Sequence, residues 1–205
     1  MNNQYIKPAI ATLLLAIVFP IYWSSAFYSA SFNNDIFAFI KADMMTLGFS
    51  DLMFVIMGAL EVYVYLSLSK ALKVQLNSRF ASILLIVMAI ASALFHGTVI
   101  FDVTLAMTSG ALPNSSIDSI VAVGLFFGIA ALVLLAFSTF ICSIVILINH
   151  QQISSMLKVF SVLLLVVSIL QVTVVFSAFN LLLFPFTLAM LAVYFVKEPD
   201  TLEIV

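Results

Sequence analysis

Six long apolar stretches, separated by short polar breaks, organise the chain. They run at about 8–30, 50–72, 80–106, 119–148, 155–176 and 178–196, and each approaches or exceeds the roughly 20 residues an α-helix needs to cross a hydrocarbon core. The runs are continuous and do not alternate with period two, which argues against a membrane β-barrel. The fourth is long enough to tilt or to extend past the core. Almost no polar sequence separates the fifth from the sixth, so these two should form a tight hairpin. The expected fold is all-α: a polytopic integral membrane protein, one transmembrane domain over residues 1–205, without internal repeats or a soluble domain.

The first outer loop, residues 31–49, is long for a plain connection, and such loops often carry structure of their own. Asn33-Asn34-Asp35 can cap a helix start. Ile36, Phe39, Ile40, Met44 and Leu47 then recur at helical spacing, with Lys41 and Asp43 off the stripe. The pattern predicts a short amphipathic helix over about Asp35–Leu47, lying on the outer surface or over the mouth of the bundle.

Composition agrees with the pattern. Hydrophobic residues make up 65% of the chain and charged residues 8%, and the mean hydropathy is +1.30. A surface this apolar needs lipid as its solvent, so the bilayer is the first expected partner. A membrane-protein partner or a second copy is a further expectation. The net charge of −2 and the absence of a basic cluster give no footprint for nucleic acid. Cys142 is the single cysteine, so the chain can form no internal disulfide and no CxxC motif. Two histidines in different places, His96 and His150, make a metal or haem site improbable, and no cofactor motif is present. Lys7, the apolar run from Ala9 to Phe19 and Ser24-Ser25-Ala26 resemble a signal peptide, but the apolar stretch continues past them, so the first helix is expected to be retained.

Basic residues in short loops mark the cytoplasmic side. Lys70, Lys73 and Arg79 flank the second turn, Lys158 the fourth, and Lys197 starts the tail, while the turn at Pro113-Asn114-Ser115-Ser116 has none. The expected location is the cell (inner) membrane, with both termini cytoplasmic. Gly124 and Gly128 form a GxxxG pair, a device for close helix packing.

Polar residues at membrane depth are the candidate chemistry. Glu61 lies near the middle of the second span, where a charged carboxyl costs about 2.5–3.5 kcal/mol on insertion scales. It must be protonated, paired or facing water. Gly58 and Tyr65 share its helical face, and the expected partner is Tyr65 or a group on span three. Ala89, Ser92 and Ala93 precede His96 at helical spacing, a small-residue stripe that points His96 into the bundle. Asp102, six residues on, falls on another face. Trp23, Asp51, Gln171 and Asn180 also fall in the outer half, and Pro20 and Pro185 can loosen their helices. The expectation is an outward-facing polar pocket built from Glu61, Tyr65, His96, Asp102, Gln171, Asn180, Trp23 and Asp51, serving small-molecule or proton-coupled transport. The alternatives are a non-catalytic subunit, sensor or assembly partner, and an intramembrane enzyme, although no nucleophile–base spacing stands out and no catalytic residue is assigned. The plainer alternative for Glu61 and His96 is that they satisfy each other and set helix registry.

Overall fold

In the computed structural model, residues 5–31, 35–76, 79–149, 151, 153–173 and 177–197 are described. Among them lie eight α-helices and no strand: α1 (Ile6–Ser31), α2 (Ile36–Met44), α3 (Phe49–Gln75), α4 (Arg79–His96), α5 (Val99–Thr108), α6 (Asn114–Ile148), α7 (Ser155–Val172) and α8 (Asn180–Lys197). A short 3₁₀ turn, Ser177–Phe179, precedes α8. Six segments are long and apolar enough to cross a membrane: α1, α3, α4 with α5, α6, α7 and α8. Six such segments support a multi-pass membrane protein.

Each spanning helix packs against its neighbours in chain order, and α8 closes on α1. Short turns force successive helices to run antiparallel, so six of them can ring a common axis. The face with the start of α1 and the end of α8 also carries the α3–α4 and α6–α7 connections. There the ring is filled by Leu72, Leu85, Leu157, Tyr194 and Phe195, all 2% exposed or less, and Tyr194 Oη donates to Gln75 Oε1 at 2.7 Å. Small residues bring α3 and α4 close on this side, where the Ser69 and Ser82 hydroxyls meet at 2.7 Å.

The third span is not one helix. It breaks at Gly97-Thr98, between α4 and α5. Gly97 N–H still bonds four residues back, to Ala93 O, but Thr98, Ile100 and Phe101 bond only three back. The Thr98 hydroxyl takes the Phe95 carbonyl at 2.7 Å, so backbone and side chain share the groups freed at the break. His96 is the last residue of α4.

The amphipathic helix of the outer loop is present as α2. The Asp35 carboxylate accepts from Ala38 N–H at 3.0 Å, as an N-cap should; Asn33 and Asn34 lie outside the described residues. α2 docks on α5 and α6. Met44 joins Leu105, Ile117 and Val121 in a small core, and Lys41 Nζ meets Asp118 Oδ1 at 2.6 Å. Of the expected stripe, Phe39, Ile40 and Met44 turn inward, whereas Ile36 and Leu47 are exposed. Partial burial, with Asp51 across the loop as a second cause, pushes the Asp43 carboxyl up from its ordinary value. The 35 residues of α6 reach about 52 Å at 1.5 Å per residue, beyond a hydrocarbon core of about 30 Å. Its first turns form the platform for α2.

Candidate functional site

The half of the ring away from the chain ends is not filled. A cavity of about 580 Å³ lies there, walled by α1, α3, α4, α6, α7 and α8. Most of the wall is aliphatic and aromatic, and its polar members are few.

Glu61 and His96 are two of them. Glu61 is 6% exposed and His96 5%. Ser92, one turn before His96 on α4, donates its hydroxyl to Glu61 Oε2 at 2.6 Å. His96 Nε2 stands 3.6 Å from the same oxygen, too long for a hydrogen bond but close enough for electrostatic contact. The partner expected on span three is thus Ser92, while Tyr65 lines the cavity one turn below Glu61. Ala89, Ser92 and His96 share the buried face of α4, but Ala93 faces outward.

Gly58 makes the arrangement sterically feasible. A Cβ at position 58 would lie 2.8 Å from His96 Cδ2, and closer still to its Cβ and Cγ. The imidazole therefore rests directly on the α3 backbone, one turn before Glu61. Phe54 flanks it with ring centroids 4.2 Å apart, and Phe95 at 5.1 Å. Trp23 stacks on Phe95 at 6.4 Å, and Phe19 meets Phe184 edge-on at 4.8 Å, so an aromatic band joins α1, α4 and α8 along the wall.

On the opposite side, Asn180 opens α8 and donates Nδ2 to Val167 O on α7 at 3.0 Å. Its Oδ1 and the Nδ1 of His96 are buried without a hydrogen-bond partner among the described residues. Gln171 also lines the cavity; Thr139 does too, but its hydroxyl is spent on Leu135 O.

Six of the eight expected pocket residues therefore line one cavity: Glu61, Tyr65, His96, Gln171, Asn180 and Trp23. Asp51 and Asp102 do not. Asp51 caps its own helix, with Oδ2 accepting from Gly48 N–H at 2.6 Å. Asp102 lies on α5, past the break. Ser92 and the seat at Gly58 were present in the sequence as small residues on the right faces, but their contact is between helices. Among the described residues, no cluster of three or more His, Cys, Asp or Glu could hold a metal ion. Compared with known proteins, the chain matches no family model, no curated protein and no solved structure.

Proposed function

We propose that the protein is a transporter that moves a small molecule across the cell (inner) membrane in a cycle coupled to protons. Glu61 carries the proton and His96 stands beside it as a relay. The basic residues Lys70, Lys73, Arg79, Lys158 and Lys197 support a cytoplasmic location for both termini, which turns the cavity outward. One observation carries the reading: the buried Glu61–His96 pair lines a cavity in one half of a ring whose other half is filled by buried side chains such as Leu72, Leu85, Leu157, Tyr194 and Phe195. An alternating-access cycle needs such a one-sided end state, and an ionisable pair at membrane depth is a functional candidate by default.

Proteoliposomes loaded with a pH-sensitive dye and challenged with a pool of small amines, acids and neutral metabolites test it. The wild type should change the internal pH when its substrate is added. Glu61→Gln, which can still accept from Ser92, should fold with unchanged helicity and give no pH change. A wild type silent to the whole pool, or a Glu61→Gln variant as active as the wild type, overturns the proposal.

A further inference from the structure

Two buried polar atoms of the residues that wall the cavity lack a hydrogen-bond partner among the described residues, and both are acceptors; Tyr65 and Gln171 add groups that can donate as well as accept. Asn180 Nδ2 is committed to a backbone carbonyl, which can only accept, so the amide orientation is fixed and the buried atom left without a partner is Oδ1. His96 Nε2 faces a carboxylate oxygen. A lone pair there would repel it, so in the neutral imidazole the hydrogen sits on Nε2 and the unpartnered Nδ1 is an acceptor. Glu61 has further acceptor capacity beyond the bond from Ser92. A ligand that satisfies such a wall must bring hydrogen-bond donors, because a buried acceptor left unmet costs free energy.

Charge and ring geometry narrow the class further. Among the described residues, no Lys or Arg lines the cavity, and Glu61 is the one acid that does. Trp23, Phe95, Phe19 and Phe184 line the same space, and aromatic faces attract cations. Most of the remaining wall is apolar, with Ile129, Val133, Phe137 and Val172 each about half exposed, which suits an apolar body.

We infer that the substrate is a protonated lipophilic amine, with its ammonium group against Glu61 and the aromatic band and its apolar body along α6. The inference deepens the transport reading and rests on it in taking this cavity as the substrate site. The ammonium group supplies donors to the free acceptor capacity of Glu61, and its charge can replace the proton on Glu61 one for one.

Trp23 is the chain's single tryptophan and lines the cavity, so its emission reports occupancy. The protein in lipid nanodiscs is titrated with 2-phenylethylamine, 2-phenylethanol and 3-phenylpropanoate, three probes of similar body and different head. The amine should change Trp23 emission saturably, the alcohol should bind at least about tenfold more weakly, and the carboxylate should leave the emission unchanged. Glu61→Gln should weaken amine binding about tenfold or more and leave the alcohol unaffected, while Glu61→Asp, which keeps the charge, should retain the preference for the amine. A carboxylate probe that binds as tightly as the amine overturns the inference and leaves the transport reading standing. So does amine affinity unchanged in Glu61→Gln. Amine binding without proton-linked uptake into vesicles sinks transport and leaves the amine class standing. No response to any probe removes the cavity as a binding site, and both fall.

Discussion

At the scale of single residues, the site depends on what is missing from one position. Gly58 has no side chain, and the His96 imidazole occupies the space a methyl group would take. His96 is also confined by Phe54 and Phe95, so it has little room to retreat. Gly58→Ala should therefore overpack the α3–α4 contact and cost about 1–3 kcal/mol. It should also shift the imidazole away from Glu61. Unfolding in mixed micelles measures the first effect, and the ring resonances of His96 in NMR spectra measure the second. A variant with wild-type stability and an unmoved His96 would show that the seat is not needed.

At the scale of elements, α2 is held to the bundle by apolar packing more than by charge. The Lys41–Asp118 pair is partly exposed, with side-chain exposures of 24% and 50%, and such pairs contribute about 0–1 kcal/mol. Met44, by contrast, sits against Gly124, where an added Cβ would meet Met44 Cε at 3.0 Å and the Phe101 ring at 3.2 Å. The GxxxG pair thus serves packing inside the chain. Gly128 faces Thr98 at the helix break, at a looser 3.9 Å. Gly124→Leu should push α2 off its platform and speed hydrogen exchange of the Phe39–Met44 amides, whereas Asp118→Asn should change them little. The reverse order of effects would make the ion pair the main tie.

At the scale of the molecule, six spans place both chain ends on one face, and the positions of the basic residues decide which face that is. In a Cys142→Ala background, a cysteine at exposed Asn114 should react with an impermeant reagent added to intact cells. One at exposed Lys73 should react only after the membrane is opened. The opposite pattern would invert the protein and turn the cavity toward the cytoplasm. The ring has the same consequence for either orientation: a ligand in the cavity has the packed terminal half between it and the other side, and passage requires those layers to separate.

The sequence by itself determined the spans, because helix formation in lipid follows from apolar run length: every backbone group must be satisfied within its own segment. It also determined the outer helix, through a local cap and a local stripe, and it marked Glu61, Tyr65 and His96, because a polar residue in an apolar run is visible without a partner. Only the tertiary structure decided what those residues meet. Ser92 as the donor to Glu61, the Gly58 seat and the Asn180–Val167 bond join different helices, and contacts between helices leave no local periodicity. The break after His96 was hidden for a related reason: Gly97 and Thr98 do not interrupt an apolar run, yet the helix ends there and a second one, α5, begins at Val99. Asp51 was misplaced because depth along a span does not distinguish a carboxylate facing a cavity from one capping the first turn of its own helix. The cavity belongs to the tertiary level altogether, since it is the space left where six chain-ordered helices close a ring.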